Sequence, residues 1–329
     1  MKKKLSCLLF NALLFALCTS AAAQQTGKVA RIGFLDASTA AGSAGRLDAF
    51  RHELSKLGWI EGKNIAIEYR FAEQKRERVT DLAADLAGLK VDLIVASGTP
   101  QAAAAKKATT TIPIVMTNAG DPVGAGLVSS LARPGGNVTG LSSLSPELNS
   151  KRLEVLNDVV PKLAQVGFLR TPVAGIAREL QLKEIRAAAT ALKLNLEEID
   201  SQPTPKGLES AFQTAKQKQV NAIMTMSTTS FLAERKRIAE LAVKYRLPAI
   251  YPQKEYVDDG GLMSYGNDAT DLYRRAAVYV DKILKGAKPA DLPVQQATKF
   301  EFVINLKSAK QIGLTIPGNV LERASHVIR

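Results

Sequence analysis

The stretch Val115-Met-Thr-Asn-Ala-Gly-Asp-Pro-Val-Gly-Ala-Gly126 starts as an apolar strand and then breaks into Asn118, Gly120, Asp121 and Pro122. A carboxylate there can act as an acid or base, ligate a metal, balance a bound cation, or cap the following helix. Hydrolysis by a triad needs a nucleophile, a base and an orienting group. The chain has only two histidines, His52 between Arg51 and Glu53 in a helix-periodic stretch and His326 near the C-terminus, and both read as solvated positions. Ala96-Ser-Gly-Thr99 lacks the glycine two places before its serine that a nucleophile elbow requires. The glycine-rich runs Gly120–Gly126 and Gly135–Gly140 match neither the dinucleotide fingerprint nor the P-loop. Glu197-Glu198 and Asp258-Asp259 are isolated acidic pairs, which usually mark solvated turns. No catalytic residue, metal site or cofactor is therefore expected, although carboxylates distant in sequence can still meet in space.

The 329 residues are 46% hydrophobic and 5% aromatic, as in an ordinary globular protein of one large or two medium domains. Met1-Lys-Lys-Lys4, an apolar run from Leu5 to Leu17 and Ala21-Ala22-Ala23 have the three parts of a secretory signal spanning residues 1–23. Both cysteines, Cys7 and Cys18, fall within it, so a chain cut after Ala23 has no disulfide, zinc thiolate or cysteine nucleophile. Leu17, not a small residue, precedes Cys18, which favours soluble release to the periplasm over lipid anchoring at Cys18. The formal charge of +13 falls to +10 without Lys2, Lys3 and Lys4. The remaining cations are scattered without aromatic interleaving, so nucleic acid is not an expected partner.

Short Val- and Ile-rich runs alternate with helix-periodic segments, the signature of parallel α/β sheets. Strands are expected near 29–35, 64–69, 91–96, 112–117 and 137–141, with helices near 46–57, 76–89, 100–108 and 123–131 between them. A second series follows a helix at 146–160, with strands at 165–169, 194–199, 222–226 and 248–251 and helices at 174–192, 205–218 and 231–245. A long helix at 269–285 and a strand at 300–305 end the chain. The expected fold class is α/β, two doubly wound parallel-sheet lobes joined by a hinge. Lobe 1 would span 28–141, with part of 267–329 returning to it, and lobe 2 would span 142–266. In open parallel sheets, ligands bind beyond the carboxyl ends of the strands. Polar or small residues recur there at Asp36–Thr39, Ser97–Pro100, Asn118–Asp121, Ser227–Ser230 and Tyr265–Asn267. Pro100 and Pro122 make Thr99 and Asp121 natural N-caps.

Thr109-Thr-Thr-Ile-Pro-Ile-Val115, Gly120-Asp-Pro-Val-Gly124, Leu131-Ala-Arg-Pro-Gly-Gly-Asn-Val-Thr-Gly140, Leu247-Pro-Ala-Ile-Tyr251, Gly260-Gly-Leu-Met-Ser-Tyr-Gly266 and Ile283-Leu-Lys-Gly-Ala-Lys-Pro-Ala-Asp-Leu-Pro293 carry a resemblance. They resemble ABC-importer substrate-binding proteins of the family that includes tryptophan- and tyrosine-binding members. The likeness spans about residues 31–317. It implies a type I periplasmic-binding-protein fold and a small-molecule ligand, with amino acids of the aromatic type as candidates. It also implies delivery to a permease and its ATPase in the inner membrane, with the binding protein itself a monomer. Ser97, Gly98 and Thr99 would cradle a carboxylate, Asn118 or Asp121 would meet an ammonium, and Ser38 and Thr39 would close the first loop. Ser227, Thr228, Tyr251, Tyr265 and Asn267 would complete the site, with Phe231 or a tyrosine stacking on the ligand. Two rivals share the fold: a ligand sensor for a membrane receptor, and an exported α/β enzyme, which would show convergent ionisable groups and turnover.

Overall fold

The computed structural model describes residues 29–329; the expected secretory signal, with Cys7 and Cys18, lies outside the described residues. The strands are β1 (Ala30–Asp36), β2 (Ile65–Phe71), β3 (Leu93–Ala96), β4 (Ile114–Ala119), β5 (Val138–Ser142), β6 (Gln165–Arg170), β7 (Asn195–Asp200), β8 (Ala222–Thr225), β9 (Ala249–Tyr251), β10 (Met263–Asn267), β11 (Gln295–Gln296), β12 (Phe300–Asn305) and β13 (His326–Ile328). They form a six-stranded sheet, β11-β5-β4-β3-β1-β2, and a seven-stranded sheet, β13-β12-β10-β9-β8-β6-β7. Every pairing is parallel except β10 with β12. The α/β class expected from the alternation is the one observed.

Period-two alternation builds the first core. Ile32, Phe34, Leu93 and Val95 meet helices Ala40–Lys56 and Ala269–Leu284, while Leu35, Ile94 and Ala96 face helices Arg78–Gly88 and Thr99–Ala108. Helix Ala40–Lys56 buries Leu47, Phe50 and Leu54, one stripe at helical spacing, and Thr39 caps it by accepting from the Gly42 N–H at 3.0 Å. The second sheet packs within a single cluster with helices that include Glu147–Val159, Ile176–Ala191 and Pro205–Gln217.

The chain passes between the sheets at three places: after β5 into helix Glu147–Val159, after β10 into helix Ala269–Leu284, and from β11 into β12. The crossings are tied together. Ala297 N–H donates to the Ser142 carbonyl at 2.8 Å, the Asn267 amide to the Ser143 carbonyl at 2.8 Å, and Asp268 N–H to the Lys299 carbonyl at 3.0 Å. Beside them lies Arg152, 1% exposed, whose Nε donates to the Tyr265 carbonyl and Nη1 to Asn149 Oδ1, both at 2.7 Å. Burial pushes its pKa down to about 9, only partly offset by the Tyr265 and Tyr256 phenols.

Two expectations are corrected. No helix forms over 123–131: after Pro122 the backbone closes a single turn, with Ala125 N–H on the Asp121 carbonyl and Leu127 N–H on the Pro122 carbonyl, and Gly126 leaves it at φ 67. The expected helix at 231–245 is two, Thr229–Ala233 and Arg235–Lys244, broken at Glu234. The exposed, polar two-residue β11 has no apolar pattern that sequence could reveal. Among the described residues no helix is long and apolar enough to cross a membrane.

Gly140 sits at φ 126, and a Cβ there would lie 2.2 Å from the Met116 carbonyl oxygen and 2.6 Å from its nitrogen. Gly140→Ala should destabilise the protein by about 2–4 kcal/mol, read by chemical denaturation. Burial holds the Tyr69 and Tyr279 phenols up to about 12 and pushes Tyr251, Tyr256 and Tyr273 upward as well. The stability these raised values contribute is intact below about pH 10, where unfolded tyrosines begin to ionise, and is lost as pH rises toward about 12. A melting temperature that stays level or rises across that window would contradict this.

Candidate functional site

A cavity of about 420 Å³ opens where the carboxyl ends of strands from both sheets converge. Ser97, Gly98 and Thr99 reach it from β3, Asn118 and Asp121 from β4, and Ser227 and Thr228 from β8. These are seven of the thirteen residues expected from sequence. The other six lie elsewhere. Asp36, 1% exposed, accepts from Ser38 N–H at 2.8 Å and Ser43 Oγ at 2.6 Å, and Ser38 Oγ bonds Ser43 Oγ at 2.6 Å. Ser38 and Thr39 are thus engaged in seating helix Ala40–Lys56. Phe231 is fully buried in the second core, and Tyr251 stacks on Tyr256 with ring centroids 4.6 Å apart. Tyr265 stacks on Phe300, and Asn267 ties two crossings together.

Each wall has its own scaffold. Helix Thr99–Ala108 begins after Gly98 at φ 109, so Thr99 is its first residue and not the expected cap; its Oγ1 accepts from Gly120 N–H at 2.9 Å. Asp121 Oδ1 accepts from Val123 N–H at 3.1 Å and Gly124 N–H at 2.8 Å, so one carboxylate oxygen caps the turn. Nearby, partial desolvation raises the Glu147 pKa, a backbone hydrogen bond opposes the rise, and the Asp121 and Glu184 charges add to it. Opposite, Gln181 clamps Ser227 through both backbone groups, at 2.9 and 3.1 Å, and Gln253 Nε2 donates to Ser227 Oγ at 3.2 Å.

Sequence reading missed Arg46, Gln101, Arg178, Gln181 and Gln253, all of which line the cavity. Arg46 lies 5.6 Å over the Tyr273 ring and donates to the Gly42 carbonyl at 3.0 Å. Burial opposes its charge, but Tyr273, Asp36 and Glu255 outweigh this and hold its pKa above the usual value. A signal for the second wall was available: Thr171-Pro172 after β6 and Gln202-Pro203 after β7 are polar strand ends of the same kind, and all four residues line the cavity. The Ser97 hydroxyl, Asn118 Oδ1, Arg178 Nε and Gln253 Oε1 are buried without a hydrogen-bond partner. Two come from each sheet, and a molecule seated between the walls would satisfy them. Neither histidine nor cysteine lines the cavity, and no cluster of three or more potential metal ligands occurs among the described residues.

The chain is similar to known binding proteins. It is 28% identical over 266 residues to the tyrosine-binding protein of Clostridioides difficile strain R20291, covering 80% of this chain and 75% of that one. A conserved domain protein from Vibrio cholerae superposes with a TM-score of 0.84 at 30% identity, over 91% of this chain and all of that one. An ABC domain from Streptococcus pneumoniae, solved in complex with L-Trp, gives 0.82 at 28% identity over 91% and 99%. The type I periplasmic-binding-protein fold persists in solved binding proteins at 14% identity, with a TM-score of 0.61. A model of ABC transporter substrate-binding proteins matches residues 41–328, and the chain belongs to that family.

Proposed function

We propose that the protein is a periplasmic solute-binding protein that captures a small metabolite of amino-acid type between two lobes and delivers it to an ABC permease and its ATPase. The observation that carries this reading is the set of buried polar atoms without a hydrogen bond around one cavity, on Ser97 and Asn118 from one wall and on Arg178 and Gln253 from the other. Lobe 1 comprises 28–141 with returning parts of the C-terminal segment, lobe 2 comprises 142–266, and the laced crossings are the hinge. Ligand contacts that exist only when the walls meet shift the population toward the closed form. No bond is made or broken.

Ser97 with the start of helix Thr99–Ala108 would hold the α-carboxylate, because its first N–H groups and positive dipole end favour an anion. Asn118 Oδ1 and the free oxygen of Asp121 would receive the α-ammonium, with Ser227 and Thr228 closing from the second wall. The tyrosine and tryptophan named for the relatives make aromatic amino acids the first candidates. For such a ring, this cavity offers Pro100, Pro146, Pro172 and Pro203 as flat apolar surfaces.

Mass spectrometry of the compound released on denaturing the purified protein should find an intact small metabolite that rebinds in calorimetry; a chemically altered product would sink the transport reading. Asp121→Asn retains the oxygen that caps the turn and removes the charge. It should weaken a zwitterionic ligand by about 1–3 kcal/mol without lowering the melting temperature. Unchanged affinity would leave Asp121 as a turn cap alone.

A further inference from the structure

The lip of the cavity carries charge that these α-amino and α-carboxyl contacts leave unused. Arg76, in the loop after β2, holds Nη2 2.8 Å from where a Cβ on Gly175 would sit. A guanidinium from the first wall therefore lies against the turn that begins helix Ile176–Ala191 on the second. Arg178, in the first turn of that helix, donates through Nη1 to the Pro172 carbonyl at 2.8 Å, while its buried Nε has no hydrogen bond and only a long ion pair with the Glu179 carboxylate. Glu179 stands 3.7 Å away with a side chain 55% exposed, and Glu198, which also feels Arg178, is engaged by Arg170 at 2.5 Å and Arg186 at 2.6 Å. No side chain caps the start of the helix.

The first wall is built alike. Helix Thr99–Ala108 also starts at a glycine without a side-chain cap, and beside it lies Ser97, 7% exposed, whose buried hydroxyl is close enough to the Tyr273 phenol to favour its ionised form. Donors thus gather on both walls, and no Phe, Tyr or Trp lines the cavity. The single carboxylate of tyrosine or tryptophan could satisfy only one of these two groups of donors.

We propose that the ligand carries two acidic groups, the first seated at Ser97–Thr99 and the second, a carboxylate or phosphate, held between Arg76 and Arg178. This rests on the reading of the cavity as a solute site, and it names an acidic amino acid or amino-acid conjugate as the substrate class. The second group would accept from the planar guanidinium forks and the first N–H groups of helix Ile176–Ala191 together. It would also neutralise the like charges that meet at the lip on closure, while Asp121 and Glu77 supply the negative charge for an ammonium.

The test is calorimetry on the protein after unfolding and refolding to strip bound compound, with L-glutamate, O-phospho-L-serine, L-tyrosine and L-tryptophan as probes. At least one acidic probe should bind at least tenfold more tightly than either aromatic one, and the two acidic probes separate a carboxylate from a phosphate. Arg178→Met and Arg76→Met should each remove at least tenfold of the acidic probe's affinity with circular dichroism unchanged. Arg76 is exposed, so its variant carries the test alone if Arg178→Met fails to fold. Preference for tyrosine or tryptophan, no binding of either acidic probe, or an unmoved affinity in Arg76→Met would each overturn the two-acid ligand. Aromatic preference would leave the solute-binding reading standing, whereas that reading fails separately if the released compound proves chemically altered.

Discussion

The lacing of the three crossings, Ala297 to Ser142, Asn267 to Ser143 and Asp268 to Lys299, fixes how one sheet stands to the other. Every feature of the cavity depends on it, because neither sheet alone encloses the space. The lacing uses backbone groups almost entirely, so it demands chain direction and register more than particular side chains. Where side chains do enter, they are constrained: Gly266 adjoins this region, and a Cβ there would lie 2.0 Å from the Pro252 carbonyl oxygen. Arg152 reinforces the same place at a cost, since a buried guanidinium without an ion-pair partner is expensive and only well-aimed hydrogen bonds to Tyr265 and Asn149 offset it.

The division of labour at the strand ends explains the electrostatics of the site. On the first wall, Asp36 spends both carboxylate oxygens and Asp121 one on neighbouring residues, so carboxylates that look free in sequence are largely taken up by local structure. On the second, glutamines do the equivalent work: Gln181 and Gln253 hold Ser227 without adding charge. Arg46 and Arg178 are held by the Gly42 and Pro172 carbonyls, so neutral partners position these cations, while Asp121 and Glu77 are the carboxylates that share the lining.

Strand positions were legible because buried parallel strands are built on continuous apolar runs, as in Leu93–Ala96 and Ile114–Met116, and the polar residues that follow them mark the carboxyl ends. The turn at Pro122–Gly126 was not legible as a turn, since Val123 to Leu131 has enough apolar spacing to imitate a helix until Asp121 and the glycines close it early. Aromatic residues misled for a different reason. Phe231 and Tyr251 stand beside polar strand ends in sequence, but a ring so placed is drawn into the nearest core unless something else fills it. Arg46 and Arg178 read as scattered surface cations because helical periodicity says nothing about which turn of a helix abuts a neighbouring sheet.

The first sheet is finished by distant chain. Helix Ala269–Leu284 covers Phe34 and Phe50 through Tyr273, Trp59 Nε1 donates to Asp281 Oδ1 at 2.9 Å across 222 residues, and β11 adds the last strand beside β5. The amino-terminal half therefore cannot complete its core until almost the whole polypeptide is available, whereas all but the last two strands of the second sheet lie between residues 165 and 267. Such non-local closure slows folding. During synthesis the earlier half must wait for its distant helix and last strand, and the second core in turn takes Phe302, Ile304, Ile316 and Val320 from the final stretch to emerge, so neither core is complete before the chain nearly is.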